Sequence, residues 1–298
     1  MADTAVLVSG LTSGSFYGLL AAGFGLIFFV TGRFHYAYGV YFALAGVLAG
    51  WGSQFHGWNV WLAAVIGVLV GTAAGILTET VVYRSFDKRS ASFSLLGVFI
   101  ASLGIVVAME AAMQLWLAAA PTYTMQLIPY TVWNIGSVAI PEVDVVIAAV
   151  SWAGLIGLSL FISRTTTGRK MRAVAANRDL AVTFGINVRR IFVITFALGS
   201  VAAAVLGVLY TSQFAASSTM GDSAIVYCFV IVFLARTGGP LKWGLIGLVL
   251  GVGVAFGGEA IGEVWEQPLV FGVLFILIGA LPYLQRIRES RPQLLRGT

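Results

Sequence analysis

The distribution of lysine and arginine constrains this chain more than any other feature of its sequence. All 17 of these residues lie between long hydrophobic stretches or after the last one. If each stretch crosses a membrane once, all 17 fall on the same side. Membrane proteins keep Lys and Arg in their cytoplasmic loops. The pattern therefore predicts a multi-pass protein of the bacterial inner membrane, with its N-terminus outside and its C-terminus in the cytoplasm.

The composition excludes several classes of soluble protein. Hydrophobic residues make up 59% of the 298 residues and charged residues only 10%, whereas a soluble domain has about a quarter charged residues. The single cysteine, Cys228, and two histidines rule out a disulfide framework and a cysteine-based metal site. We expect no metal and no cofactor on this chain. We also expect no nucleic acid partner, because the basic residues are spread over loops instead of being gathered with aromatics on one face.

Nine hydrophobic segments are candidate membrane spans, since a spanning helix takes about 20 apolar residues. They are residues 5–30, 36–51, 58–82, 93–117, 143–162, 191–213, 224–235, 243–262 and 268–284. Segments 36–51 and 224–235 are short, so either is a candidate half-helix that turns back beside a transport path. The predicted fold class is all-α: one polytopic membrane helix bundle over residues 1–298, with eight to nine spans, one or two of them short or re-entrant, and a basic cytoplasmic tail at 285–298.

Glycines recur every four residues in three of these segments. Such rows let helix backbones approach closely in lipid, where the hydrophobic effect does not drive helices together. We expect them to mark tightly packed helix pairs. The rows are Gly10, Gly14 and Gly18; Gly67, Gly71 and Gly75; and Gly247 and Gly251.

Residues 163–190 form the one long polar stretch between spans. Thr165 to Thr167 offer hydroxyls that cap a helix beginning near Gly168, and Gly185 is suited to end it in the left-handed conformation. On the residues alone, two interpretations stay open. The helix lies on anionic lipid as an amphipathic surface helix, or it inserts into a groove of a soluble partner.

The same stretch carries a family pattern. It reads TxxGRxxRAxxxNxxxAxxxGI from Thr165 to Ile186, and two further motifs stand in order and register, residues 10–23 and Glu79-Thr-Val-Val-Tyr83-Arg84. Together they resemble the permeases of the branched-chain amino acid ABC transporter family. The chain departs from that pattern at residues 35–40, where His35-Tyr-Ala-Tyr38-Gly-Val replaces Asn-Phe-Ala-His-Gly-Glu.

The resemblance implies an importer permease that is not itself an enzyme and moves its solute by alternating access. It implies two ATPase subunits that bind ATP and Mg, a second permease (a related but different chain), and an extracytoplasmic solute-binding protein. The implied solutes are branched-chain amino acids or small relatives, namely amides, urea, and organic or aromatic acids. The helix at 166–184 is expected to dock on an ATPase. The expected coupling residues are Thr167, Gly168, Arg169, Arg172, Asn177 and Gly185.

Ionisable and aromatic side chains within the segments are candidates for the solute path, because polar groups at membrane depth are costly and tend to be functional. For Glu110 and Glu259 a structural role is favoured over a role in the site, and Glu79 has a local partner available in Arg84. The alternative function is an ion-coupled secondary transporter that uses Glu110 or Glu259 as its ion site. The chain has no phosphate-binding loop of the G-x-x-x-x-G-K-[ST] type. The candidate path residues are Tyr17, His35, Tyr38, Glu110 and Glu259.

Overall fold

The computed structural model describes residues 2–88, 91–116, 122–129, 131–135, 138–235, 238–265 and 268–273, together with residues 275, 276 and 279. The chain is helical through most of these ranges. The elements in chain order are α1 (Ala2–Thr31), α2 (Tyr38–His56), α3 (Val60–Leu77), a π-helical turn (Thr78–Val82), a 3-10 turn (Tyr83–Lys88), α4 (Ala91–Trp116), β1 (Val132–Ile135), β2 (Val138–Pro141), α5 (Glu142–Arg164), α6 (Thr166–Ala176), α7 (Arg178–Thr183), α8 (Val188–Gln213), α9 (Met220–Ala235), α10 (Pro240–Ile261) and a 3-10 turn (Glu263–Trp265).

Four helices, α1, α2, α8 and α9, form the interior of the bundle. α1 packs against α5, α8, α9 and α10, and α2 packs against α3, α8 and α9. Buried residues make up 78% of the most apolar stretch of α1 and 67% of that of α8, compared with 17–28% for α3, α4, α5 and α10. The outer helices expose apolar side chains such as Leu69, Val107 and Val249. A polytopic membrane protein presents this kind of surface to lipid.

The all-α bundle that the sequence predicts is confirmed. Six of the described helices are long and apolar enough to cross a bilayer, namely α1, α3 with the turns after it, α4, α5, α8 and α10. The two segments that looked short form α2, with 19 residues, and α9, with 16. Each is one unbroken helix, and α9 is shorter than the helices that are long enough to span a bilayer, as the sequence predicts. The predicted ninth span is described only in part, and Arg236 and the basic tail at 285–298 lie outside the described residues.

The glycine rows bring helix backbones into contact, as predicted. A Cβ atom on Gly14 would lie 2.7 Å from the carbonyl oxygen of Gly247, so α1 and α10 leave no room for a side chain between them. A Cβ atom on Gly67 would lie 2.5 Å from the carbonyl oxygen of Ala45, where α3 crosses α2. These close approaches replace the hydrophobic effect as the source of helix association in lipid.

The bundle has two distinct ends. At the first end lie residues 163–190, the start of the α1–α2 connection with Arg33, and the end of α3; we call this the basic end. At the other end α1 and α5 begin and α8 and α10 finish; we call this the cavity end. The antiparallel hairpin β1–β2 leads into α5 there, with Val132 opposite Pro141. The sequence did not predict this hairpin, because two four-residue strands leave no hydrophobic pattern beside segments of 20 residues.

Candidate functional site

Two adjoining cavities open at the cavity end. Their volumes are about 380 Å³ and about 670 Å³. Tyr210 of α8 and Tyr227 of α9 line both. Pockets of this size, with apolar walls and a few polar groups, are typical of small-molecule sites. The other residues of the first cavity are mainly aromatic or hydroxyl-bearing and include Ser9, Thr12, Ser13, Phe16, Tyr17, Gln213 and Phe214.

Tyr17, the first of the predicted path residues, stands on the wall of the smaller cavity. Its ring stacks on that of Tyr227, with the ring centroids 4.0 Å apart and an interplanar angle of 4°. Stacked aromatic rings attract each other beyond the area that they bury, which fixes the position of both. The stack joins α1 to α9 beside the space where a solute would lie.

An acidic side chain marks the larger cavity. Asp222, in the first turn of α9, lines it together with Tyr36. Glu110 of α4 is half-buried and lies within electrostatic reach of both residues. Among the described residues, neither lining set contains a lysine or an arginine. The electrostatic character of this site is therefore acidic.

The other predicted path residues lie elsewhere. Glu259 is exposed near the end of α10 and lines neither cavity. His35 and Tyr38 are both fully buried, on either side of Tyr36 in the sequence, and Tyr36 itself lines the larger cavity. The Tyr38 hydroxyl lies 3.0 Å from the Leu20 carbonyl oxygen, to which it donates a hydrogen bond, so this side chain holds α2 against α1. Neither His35 nor Tyr38 is among the described residues that line these two cavities.

The basic end contains a buried ion pair. The Arg33 guanidinium, in the α1–α2 connection, pairs with the Glu79 carboxylate in the π-helical turn, and the two side chains are 7% and 4% exposed. The sequence-based expectation that Glu79 pairs with its neighbour Arg84 is wrong, because Arg84 lies exposed. The real partner is 46 residues away along the chain. The pair attaches the connection after α1 to the end of α3.

His35 and Tyr83 extend this buried polar group. The Nδ1 atom of His35 lies 2.6 Å from the Tyr83 hydroxyl. Burial, reinforced by the nearby Arg33 charge, lowers the pKa of His35 to about 3, so the ring stays neutral at physiological pH. The Tyr41 hydroxyl of α2 donates a hydrogen bond of 2.6 Å to the hydroxyl oxygen of Thr78, the residue before Glu79. The polar groups of the basic end are thus largely bonded to one another.

Residues 163–190 fold into two helices instead of the single predicted helix. Thr165 caps α6 by accepting a hydrogen bond of 2.9 Å from the Gly168 amide, as predicted. Asn177, with extended backbone, then interrupts the helix and caps α7 by accepting from the Leu180 amide at 3.0 Å. Side chains of Asn and Asp compete with helix bonds in this way and favour caps. Gly185 ends the pair of helices with φ 76°, as the sequence predicts.

Two of the predicted coupling residues hold α6 against α5. Gly168 is buried, and a Cβ atom there would lie 2.6 Å from the Ile162 Cα and closer still to the carbonyl oxygens of Phe161 and Ile162. Arg172 donates a hydrogen bond to the Ile162 carbonyl oxygen. Thr167 is half-buried and Arg169 is exposed. The docking role of these residues stays a prediction, and the contacts show what fixes the segment on the bundle.

An exposed apolar surface completes the segment. Leu180, Val182 and Phe184 on and after α7 are 55%, 56% and 82% exposed. Most of the other exposed side chains of α6 and α7 are polar or charged, so polar residues surround this apolar surface. Apolar patches rimmed by polar residues mark sites of protein association. Both interpretations of the segment, a helix on lipid and a helix presented to a soluble partner, stay predictions.

The sequence reasoning missed Asp222 as a site residue and placed it in an external loop. One signal was available. Asp222, Ser223, Val226 and Tyr227 are spaced so that they share one face of a helix, and that face lines the larger cavity. The helix was drawn four residues too short, which left its polar first turn outside the segment.

Comparison with known proteins places these features in context. The family described as "Branched-chain amino acid transport system / permease component" matches residues 6–279. The high-affinity branched-chain amino acid transport system permease protein BraD of Pseudomonas aeruginosa is 28% identical over 91% of this chain and 92% of its own length. The corresponding protein LivH of Escherichia coli K12 is 25% identical over 93% of this chain and 92% of its own.

A solved structure shares the fold. PsaBC from Streptococcus pneumoniae, in complex with a Fab, aligns with a TM-score of 0.50 over 91% of this chain and 88% of the other. Sequence identity in that alignment is 11%, so the likeness concerns the arrangement of helices alone.

Proposed function

The chain belongs to the family of branched-chain amino acid transport system permease components, and on that premise we propose that it is the membrane subunit of an ATP-driven importer. It provides the path for the solute and is not itself an enzyme. Hydrolysis of ATP, with the Mg that this requires, takes place on partner subunits. The solute moves by alternating access, in which the path opens first to one side of the membrane and then to the other.

One observation carries the proposal: α8 connects the two ends. It begins at Val188, directly after the exposed apolar surface of α7, and finishes at Gln213 in the wall of the smaller cavity. α8 is also buried for most of its length, so it moves only together with its neighbours. A displacement of residues 163–190 by a partner is therefore delivered to the solute site along one packed helix.

The cavity indicates the kind of solute. The relatives are named for branched-chain amino acids, which combine an apolar side chain with an ammonium and a carboxylate group. Aromatic walls at Phe16, Tyr17 and Tyr227 suit the side chain, and Asp222 suits the ammonium group. Hydroxyl groups are the available partners for the carboxylate. A purely anionic organic acid fits poorly, since the acidic site repels it.

The partners follow from the same reading. Two ATPase subunits bind at the basic end, a second and related permease chain packs beside this one, and an extracytoplasmic solute-binding protein delivers the solute to the cavity end. This assigns the cavity end, with the N-terminus, to the outside and the basic end to the cytoplasm. The lysines and arginines of the basic end support this orientation.

The proposal is tested by reconstituting the chain with its ATPase, permease and binding-protein partners and measuring uptake of leucine. Uptake is expected to require ATP. Serine at positions 180, 182 and 184 is expected to lower ATP-driven uptake by at least tenfold, because removing several apolar anchors costs an interface more than 1.4 kcal/mol. Val249→Ala, on the lipid-facing side of α10, is the control and leaves uptake unchanged.

The ion-coupled alternative predicts the opposite pattern. The closeness of Glu110 and Asp222 favours it, since paired carboxylates also bind protons and cations. Uptake that continues after ATP is depleted, and stops when the ion gradient is collapsed, would overturn the importer proposal. Retention of full uptake by the triple serine variant would remove α7 as the docking surface.

A further inference from the structure

Phe192 connects residues 163–190 to the buried ion pair. This side chain lies in the second turn of α8 and is 1% exposed. The Arg178 guanidinium, on the first residue of α7, lies 5.2 Å from the centroid of its ring. The Arg33 guanidinium lies 4.9 Å from the centroid of the same ring. Two cations from different parts of the chain therefore share one aromatic ring.

These distances are those of cation–π contacts. A guanidinium within about 6 Å of a ring centroid is attracted by the ring quadrupole, and the attraction grows as water is excluded. Arg33 is almost fully buried, whereas Arg178 is exposed. The ring thus lies between a charge that a partner protein can displace and one that the bundle encloses.

Arg178 is the first residue of α7 and therefore moves whenever α7 moves. It follows Asn177, where the backbone is extended and the helix is interrupted. Because of this break, α7 is free of the hydrogen-bond ladder of α6 and is able to shift separately. The exposed residues Leu180, Val182 and Phe184, to which the ATPase is proposed to bind, are on the same short element or directly follow it.

Arg33 is equally well placed to act on the bundle. Its partner Glu79 lies in a π-helical turn, a rare feature that occurs frequently at functional sites. The same guanidinium also lies 5.7 Å from the centroid of the Tyr83 ring, and Tyr83 contacts His35. A shift of Arg33 therefore reaches the α1–α2 connection and the end of α3 together.

Burial makes the ion pair an all-or-none contact. A buried charge that loses its partner is strongly destabilised, so intermediate positions of Arg33 are unfavourable. Coupling between distant sites requires an element with two discrete arrangements, biased from both sites. The burial of the Arg33–Glu79 pair makes it the candidate for such an element, and the contact with Phe192 supplies the connection to α7.

We propose that Arg178, Phe192 and Arg33 form a cation–π relay, which transmits movement of α7 to the Arg33–Glu79 pair and thereby positions the ends of α1, α2 and α3. These are positioning residues: none of them touches the solute. The proposal rests on the proposed function, because the movement of α7 comes from the ATPase. It assigns to Phe192 a role beyond packing, namely that of an aromatic ring between two charges.

The test uses the assembled transporter and compares solute-stimulated with basal ATPase activity. Arg178→Gln and Phe192→Met are each expected to lower this ratio by about tenfold, the order of a partly desolvated cation–π contact. Phe192→Tyr keeps the ring and retains the ratio, and Arg178→Lys keeps the charge and retains most of it. Because both variants interrupt one path, Arg178→Gln/Phe192→Met is expected to be no worse than either alone.

Two controls separate the relay from packing and from net charge. Phe196→Met removes a ring of equal burial one turn along α8, where it packs against His35 and Tyr83. Arg189→Gln removes an exposed charge close to Arg178 in sequence. Both are expected to keep the ratio of the wild-type transporter, even if Phe196→Met lowers its melting temperature.

The outcomes are distinguishable. If Phe196→Met lowers the ratio as much as Phe192→Met, or if the effects of the two relay variants simply add, the relay is overturned and Phe192 is a packing residue. If Arg178→Gln leaves the ratio unchanged, the relay is overturned as well. If the wild-type transporter itself takes up solute without ATP, the proposed function fails first, and the relay fails with it for lack of a driving movement.

Discussion

The polar groups of the basic end are mostly buried and bonded to one another, whereas polar groups of the cavity end face open volume. At the basic end, Arg33 and Glu79 are buried and paired, and Tyr83 and Tyr41 contact His35 and Thr78. At the cavity end, Asp222 and a set of hydroxyl groups face open volume. Buried polar groups are costly unless they are bonded. Those at the basic end therefore stabilise the closed bundle, and those at the cavity end remain available to water or solute.

This difference describes one state of a transport cycle. A permease that alternates access must close one end while the other is open, and the present arrangement is open at the cavity end and closed at the basic end. Under the proposed function, the polar contacts at the basic end break when access reverses. Substitutions at the two ends are therefore expected to have separable effects, on stability at the basic end and on solute affinity at the cavity end.

The largest effect is expected from breaking the buried ion pair. Arg33→Met removes the guanidinium that pairs with the buried Glu79 carboxylate, and breaking a buried ion pair in this way typically costs about 3–5 kcal/mol. For a chain of this size that corresponds to a fall in Tm of roughly 10 °C, measured by thermal unfolding in detergent. Arg33→Met/Glu79→Leu is expected to recover most of the loss, since apolar residues often replace a buried ion pair without cost.

Arg84→Met is the matched control for this prediction. It removes the exposed arginine that follows the same π-helical turn, and surface substitutions of this kind usually change stability by less than about 0.5 kcal/mol. A fall in Tm for Arg84→Met equal to that for Arg33→Met would show that Glu79 depends on its sequence neighbour after all. The polar contacts of the basic end would then be local, and the contrast between the two ends would lose its strongest support.

A smaller effect is expected where α6 meets α5. Gly168→Ala introduces a methyl group against the backbone of Phe161 and Ile162, where no flexible side chain is able to give way. Overpacking of this kind costs about 1–3 kcal/mol, and we expect lower Tm together with weaker stimulation of the ATPase. Gly157→Ala, in α5 itself, is the control, because nothing lies within 4 Å of a Cβ atom at that position. Equal losses for the two variants would contradict the close contact.

Much of this fold was predictable, because membrane spans depend on hydrophobic length, a local property of the sequence. The helices begin and end within a few residues of the predicted segments in most cases. The glycine rows were also readable, since a spacing of four residues places small residues on one helix face. Gly185 and Thr165 followed from local backbone chemistry, the left-handed conformation and the helix cap.

The pairing across the bundle was not predictable in the same way. Nothing in the sequence near Glu79 points to Arg33, whereas Arg84 stands five residues away and offers a plausible but incorrect partner. The interruption at Asn177 was missed because the hydrophobic spacing continues across it, and a capping residue inside a helical pattern competes with that spacing locally. Asp222 was missed because its charge suggested a loop, while the structure uses that charge at the mouth of a cavity.

The smallest effect on stability, and the sharpest test of the contrast, is expected at the cavity end. Asp222→Asn keeps the shape of the side chain and removes its charge. The free energy of unfolding should therefore change by less than about 0.5 kcal/mol. The KM for leucine uptake is expected to rise by about tenfold, because a hydrogen bond to a charged group contributes about 1.5–3 kcal/mol. A solute with the same side chain but no amine should be insensitive to the change.

Glu259→Gln provides the comparison at the same end of the bundle. It removes an acidic charge that is exposed and lines neither cavity, so neither Tm nor KM should change. An equal rise in KM for both variants would mean that the solute responds to the overall negative charge of this end and not to the cavity wall. A large fall in Tm for Asp222→Asn would place this carboxylate among the groups that hold the bundle together. It would contradict the assignment of stability to the basic end and of solute affinity to the cavity end.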